Sequence, residues 1–242
     1  NSFGTSTSEI CNDNIDNDGD GKVDAADPDC QTTAGYHYAP FFTATGSNKL
    51  DVPDASNLRL SSFTVATWFK TTANFPDEGV MVNKGGLGSE SAGANQNYGL
   101  WLMPSPSERL QGGFETTGGT NRYVTSTNTY NDGQWHHGVV TFDNPNNIVR
   151  LFVDGVQIGS LSTSSNPDNT GNKPLRIAGN SQSLTEDFFI GQLDEVGVWN
   201  RALTNAEITS LMNTGIFPSS GLMYSNSFGT STSEICNDNI DN

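Results

Sequence analysis

The apolar positions of the chain fall mostly with a period of two. In FTVATWFKT (63 to 71), Phe, Val, Thr and Phe alternate with Thr, Ala, Trp and Lys, the signature of a strand with one buried face. WHHGVVTFD (135 to 143) reads as a second strand and NPNN (144 to 147) as the turn after it. IVRLFVDGVQIGS (148 to 160) reads as a hairpin turning at Asp154-Gly155, the strongest short-range hairpin signal. LRIAGN and FFIGQLDEVGVWN supply two more strands. One stretch breaks the pattern. Thr204 to Glu207 spell a capping box, Ile208, Leu211 and Met212 share one helical face, and Gly215 is placed to close the helix. Short strands separated by Gly, Asn and Asp, with a single short helix, predict an all-β sandwich from Tyr36 to Phe217.

A longer-range pattern divides the chain. NSFGTSTSEICNDNIDN at 1 to 17 recurs without change at 226 to 242, so that Asn226 restates Asn1 with a period of 225 residues. A period this long is a whole domain, not a solenoid turn. The expected organisation is a Ser/Thr-rich linker with an acidic loop (1 to 34), a sandwich (35 to 217), a linker (218 to 225) and the start of a further unit (226 to 242). GLMYSNSFG (221 to 229) reads either as that plain linker or as a strand able to join a neighbouring domain's sheet edge.

Composition sharpens this picture. Hydrophobic content is 33% and the formal net charge −16, so nucleic acid, whose phosphates call for Lys and Arg, is a poor partner. No apolar run is long enough to span a bilayer. The acid is concentrated: residues 1 to 30 hold Glu9 and seven Asp against Lys22 alone. Within them DNDGDGKVDAAD places Asp16, Asp18, Asp20, Asp24 and Asp27 at loop positions 1, 3, 5, 9 and 12, with Gly21 at position 6. That is the spacing of an EF-hand calcium loop, in which alternate residues aim carboxylates inward and position 7, here Lys22, offers its backbone carbonyl. Asp27 in place of Glu shortens the last ligand, and Pro28 excludes a following helix. Each unit owns two cysteines, Cys11 and Cys30, with Cys236 the copy of the first. An even count around a short polar loop reads as a Cys11–Cys30 disulfide and an extracellular or cell-surface location. Calcium and the crosslink would together supply the fold of so small a segment.

The acidic segment, residues 9 to 30, resembles the single calcium loops of dockerin and thrombospondin type-3 repeats. The blocks KLDVPDASNLRLSSFTVATWFKT, DGQWHHGVVTFD, VRLFVDGVQIGS and FFIGQLDEVGVWNRALTNAEITSLMNTG resemble, in that order, the laminin G-like, concanavalin A-like jelly-roll family. The resemblance implies a jelly-roll β-sandwich and a broad choice of roles: lectin, adhesive module or glucanase. It also implies a calcium near the LDE strand; Asp194 reads either as one of its ligands or as a group that hydrogen-bonds a neighbouring turn.

Retaining glucanases of this fold carry E-x-D-x-E or E-x-D-x-x-E, two carboxylates on one face; neither occurs here. Asp194-Glu195, Glu186-Asp187 and His136-His137 are adjacent pairs, which on a regular strand point to opposite faces. The chain therefore reads as no enzyme. For sugar stacking, Tyr98, Trp101 and Tyr123 are the candidate aromatics, although alternation turns Trp101 toward the core. Three functions remain: tandem domains forming a calcium-stiffened extracellular fibre that contacts copies of itself, a calcium-dependent carbohydrate-binding adhesin whose partners are glycans or matrix, or an accessory module of a secreted enzyme.

Overall fold

The computed structural model describes residues 39–43, 49–87, 91–181 and 187–228, and Ala39–Ser227 form one compact unit. The strands are β1 (Phe41–Phe42), β2 (Leu50–Val52), β3 (Phe63–Lys70), β4 (Gly79–Lys84), β5 (Tyr98–Leu102), β6 (Arg109–Glu115) and β7 (Asn121–Thr129). They continue with β8 (His136–Asp143), β9 (Ile148–Val153), β10 (Val156–Ser162), β11 (Leu175–Ile177), β12 (Gly191–Trp199) and β13 (Leu222–Asn226). The single α-helix among the described residues, α1, spans Asn205–Thr214.

Two antiparallel sheets face each other. One runs β1-β12-β3-β8-β9-β10, with β13 also on β12; the other runs β2-β11-β4-β5-β6-β7. This is the jelly-roll β-sandwich expected from the sequence. Its core is aromatic: Phe63, Phe114 and Phe142 are fully buried, with Phe114 and Phe142 ring centroids 4.6 Å apart and Phe63 edge-on to Phe114 at 6.3 Å. The sheets come close where side chains are absent, since a Cβ on Gly112 would lie 2.9 Å from Val140.

The hairpin between β9 and β10 turns at Asp154 (φ 50) and Gly155 (φ 76). Both are left-handed, as a type I′ turn demands. Helix α1 opens on its capping box: Glu207 N donates to Thr204 Oγ1 at 3.3 Å and Thr204 N donates to Glu207 Oε2 at 2.8 Å. It closes on Gly215 at φ 63. Its buried face, Ile208 and Leu211, packs with Ala66, Val139, Phe152, Trp199 and Leu203 on the outer face of the seven-stranded sheet.

The segment read as either a linker or a strand for a neighbouring domain's sheet edge instead joins its own sandwich. Leu222–Asn226 is a strand of this sandwich, paired antiparallel with β12 from Trp199 to Val196. Trp199 explains why: its indole Nε1 donates to Pro218 O at 2.7 Å and its ring stacks on Phe217. The chain is thereby held against β12 beyond the position where the sequence suggests it leaves.

Candidate functional site

At the end of the sandwich where β3 and β5 begin, two loops meet over the six-stranded sheet. The β4–β5 loop returns tightly. Asn97 N donates to Lys84 O at 2.8 Å and Gly86 N to Ala94 O at 2.6 Å. Gly85 (φ 97) is obligatory, because a Cβ there would lie 2.1 Å from Asn95 O. Asn97 anchors the loop by exchanging hydrogen bonds with both backbone groups of Leu60, each at 2.8 Å.

The second loop joins β10 to β11 and carries Asp168, 1% exposed. Its carboxylate accepts from Gly93 N at 2.7 Å and Asn95 Nδ2 at 2.9 Å through Oδ2, and from Thr170 Oγ1 at 2.6 Å through Oδ1. Burial acts to raise its pKa, but hydrogen bonds from Thr170, Gly93 and Asn95 outweigh it and hold the group below the usual carboxylate range. Asp168 is therefore an ionised fastener between the loops. Gly171 seats against Gly93, where a Cβ would meet Gly93 O at 2.2 Å.

Between the loops lies a small polar cleft lined by Lys84, Gly85, Asn95, Asn97, Asp168, Asn169, Gly171 and Lys173. Lys84 is nearly buried and donates to Asp54 Oδ1 and Lys173 O, each at 2.5 Å. Arg59 also pairs with Asp54. Arg59, ahead of Lys84, pulls the Asp54 carboxyl down to about 2, while burial pulls the Lys84 pKa down against the opposing pull of Asp54.

Behind the cleft runs a run of amides short of partners. Asn83 Nδ2, Asn95 Oδ1 and both Gln96 amide atoms are buried without a hydrogen bond. Gln96 lies over Gly99, where a Cβ would fall 2.2 Å from Nε2. Its backbone N donates to Glu115 Oε2 at 3.0 Å, and Tyr123 OH donates to Glu115 Oε1 at 2.8 Å. A hydroxyl or water that reached these amides would find both donors and acceptors. With Asp168 and Glu115 both accepting from fixed donors, neither is placed as a free proton donor.

The residues singled out in the sequence lie elsewhere or deeper. Tyr98 and Trp101 are 0% exposed. Tyr98 OH donates to Leu58 O at 3.0 Å, and Trp101 meets Tyr123 edge-on at 4.8 Å. Neither buried ring offers a face to a sugar, which corrects the stacking role expected of them; Tyr123 is half-buried.

His136 and His137 diverge as adjacent strand residues should. His136 Nδ1 lies 2.9 Å from Asp154 Oδ2, whereas the buried His137 ring packs on Trp68. Asp194 and Glu195 do not follow that rule. A bulge between Asp194 and Gly197, with Glu195 at φ 48, interrupts the alternation, and the two are 6% and 2% exposed. Asp194 Oδ1 accepts from Glu195 N at 2.7 Å. Among the described residues no group of three His, Cys, Asp or Glu is arranged to hold a metal, at Asp194 or elsewhere. Asp187 accepts from Asn180 Nδ2 at 2.8 Å. The calcium-loop residues Asp16, Asp18, Asp20, Lys22, Asp24 and Asp27, the Cys11–Cys30 pair and Glu186 lie outside the described residues.

Comparison with known proteins is consistent with this geometry. The family Laminin_G_3, described as the concanavalin A-like lectin/glucanases superfamily, matches residues 44–209. A Bacteroides ovatus protein to which carbohydrate binding has been ascribed is 20% identical, with a TM-score of 0.60 over 81% of this chain and 53% of its own. This chain thus spans about half the length of that protein. The CBM40 of the Ruminococcus gnavus IT-sialidase is 14% identical, with a TM-score of 0.53 over 68% of this chain and 96% of its own. The binding domain of Paraclostridial Mosquitocidal Protein 1 is 19% identical, with a TM-score of 0.53 over 71% and 42%. At these identities the likeness is one of fold.

Proposed function

The chain belongs to the concanavalin A-like lectin/glucanases superfamily, and from that premise we propose that its sandwich is a carbohydrate-binding module without catalytic activity. The observation that carries this reading is the set of buried, unpartnered amide atoms of Asn95 and Gln96 behind the Lys84–Asp168–Lys173 cleft. A buried polar group without a partner costs about 1–3 kcal/mol. A sugar hydroxyl, at once donor and acceptor, would recover that cost, so ligand binding would relieve a deficit built into the free protein. Carbohydrate binding ascribed to a protein of like fold supports the same reading. The carboxylates of Asp168 and Glu115, each held by fixed donors, support binding over hydrolysis.

The donor set of the acidic loop, five Asp carboxylates and the carbonyl of Lys22, suits calcium. We take the loop as a calcium- and disulfide-held spacer in a secreted array of such modules. An array gains avidity by repetition, which gives the repeated segment a purpose without requiring a fibre.

The test is a glycan array probed with the full chain, followed by titration of the best ligand into wild type and Asn95→Ala. Loss of Asn95 should weaken binding about five- to 150-fold, the equivalent of about 1–3 kcal/mol, and, because Asn95 Nδ2 also donates to Asp168, should lower the melting temperature by a few degrees with the chain still folded. A folded chain that binds no glycan, or binds equally after the substitution, sinks the reading.

A further inference from the structure

The points where the backbone enters and leaves the sandwich carry a mechanical consequence separate from ligand binding. One edge of β12 is paired with β3 from Gln192 to Trp199. Both β1 and β13 therefore lie along its other edge. On that edge β13 runs from Trp199 to Val196, ending at Asn226, and β1 covers Gln192 and Gly191, beginning at Phe41. Both are antiparallel to β12, so they run in the same direction, in line. The chain leaving Asn226 and the chain arriving at Phe41 converge on the stretch Leu193–Glu195. Gln192 Nε2 holds the arriving chain at Ala39 O, 3.1 Å away.

The partner positions 192 and 196 are four residues apart, about 13 Å of strand. Two backbones cannot both continue there, so at least one must turn out of the sheet. β12 itself is irregular at this point: it bulges, and Glu195 sits at φ 48. A bulge bends a strand and interrupts pairing, which accounts for both neighbours stopping where they do. The repeated segment begins at Asn226, so its first residue is already a member of the sheet.

We propose that the β12 edge is a tension-release seam: stretching the chain peels β1 and β13 from β12 while the cleft stays formed. A pull on the two connections acts first on the Phe41 and Asn226 ends of these strands. Because the two ends lie in line along β12, the pull folds each strand back from its loaded end, and the ladder bonds, which run perpendicular to the strands, break one after another instead of sharing the load. The strands that give way are short, Phe41–Phe42 and Leu222–Asn226. The cleft is built on the other sheet, from loops held by Asn97 and Asp168, and once β1 is released the load meets β2, paired with β11 from Leu50 to Val52, before it reaches Asp54 and its partner Lys84 at the cleft. In a series of such units, slack would come from the seams and each module would go on holding its ligand.

The test needs only one unit, so it does not depend on the repeat reading. The full chain is stretched in optical tweezers in two geometries. In the first it is held by residues 1 and 242. In the second it is held by residue 242 and a click handle at Asn146, in the β8–β9 turn, which loads β13 along its own axis. The expected result is opening at a several-fold lower force in the first geometry, with a first length gain matching release of β1 and β13. Equal or higher force in the first geometry overturns the proposal. At the plateau after that first gain, a fluorescent glycan chosen from the array should remain bound. Release of the glycan there overturns the claim that the cleft is spared, whereas a glycan that never binds the unstretched chain counts against the binding function alone.

Discussion

At the scale of single residues, the buried polar groups set the response to pH. His137 is 0% exposed against Trp68, with both ring nitrogens unpartnered. Burial pushes its pKa from 6.5 down to about 4. The unfolded chain thus binds a proton at pH values where the folded chain does not, and stability falls as pH drops from 6.5 toward 4. The whole effect is about 3 kcal/mol at 1.36 kcal/mol per pH unit. In His137→Leu, denaturant titrations at pH 7 and pH 4 should differ by about 3 kcal/mol less than in wild type. An unchanged difference would mean that the ring reaches solvent. Asp54 has the opposite sign. Its folded pKa, about 2, is below 3.8, so its contribution is present above pH 3.8 and is lost as pH falls toward 2. Asp54→Asn leaves Lys84 buried without its acid. Removing one member of a buried pair costs about 3–5 kcal/mol. With the Asp54 side chain 14% exposed, the lower end applies, and calorimetry at pH 7 should show a melting temperature lower by about 6–12 °C.

At the scale of elements, local chemistry was legible and long-range assembly was not. Asp154-Gly155 and the Thr204–Glu207 box act within a few residues, so the sequence displays them whole. Strands β4 and β5 carry little alternation, because both of their faces are covered: all six residues of Gly79–Lys84 and all five of Tyr98–Leu102 are buried. Alternation marks a strand only when one face is wet. The cleft was illegible for a related reason. Asn95 and Asp168 are 73 residues apart, and nothing in an Asn-rich loop announces which carboxylate will fasten it. The strand β13 was legible as a strand able to join a sheet edge, but not as a member of its own sheet, since its capture by β12 depends on Trp199 gripping Pro218 O. Two chain lengths check its role. Removing residues 229–242 should leave the sandwich's melting temperature unchanged, whereas removing 222–242 should lower it and raise Trp199 exposure in fluorescence quenching. Equal melting temperatures for the two would show that β13 contributes nothing to the fold. Gly215 offers a finer probe of the helix end. A Cβ there would lie 2.4 Å from Glu195 Oε1 at φ 63, so Gly215→Ala should destabilise by more than the ~1 kcal/mol that separates Gly from Ala at ordinary positions.

At the scale of the whole molecule, charge separates two kinds of chemistry along the chain. The net charge of −16 is densest in residues 1 to 30, where Asp16, Asp18, Asp20, Asp24 and Asp27 recur at calcium-loop spacing. The cleft is built differently, from amides, Lys84, Lys173 and a single carboxylate, Asp168, already engaged by Gly93, Asn95 and Thr170. Calcium takes six to eight oxygen ligands, and the cleft has no such set to give. Glycan binding and calcium binding should therefore respond separately to a chelator. With EDTA in excess, protease cleavage within residues 1 to 34 should accelerate, because an acidic loop stripped of its ion loses the contacts that order it. Glycan affinity measured on the same sample should stay within about twofold. A parallel fall in affinity would place calcium in the binding site itself and would require oxygen ligands from outside the cleft. An unchanged cleavage rate would remove calcium from the acidic loop, and the proposed Cys11–Cys30 crosslink alone would then have to support that segment.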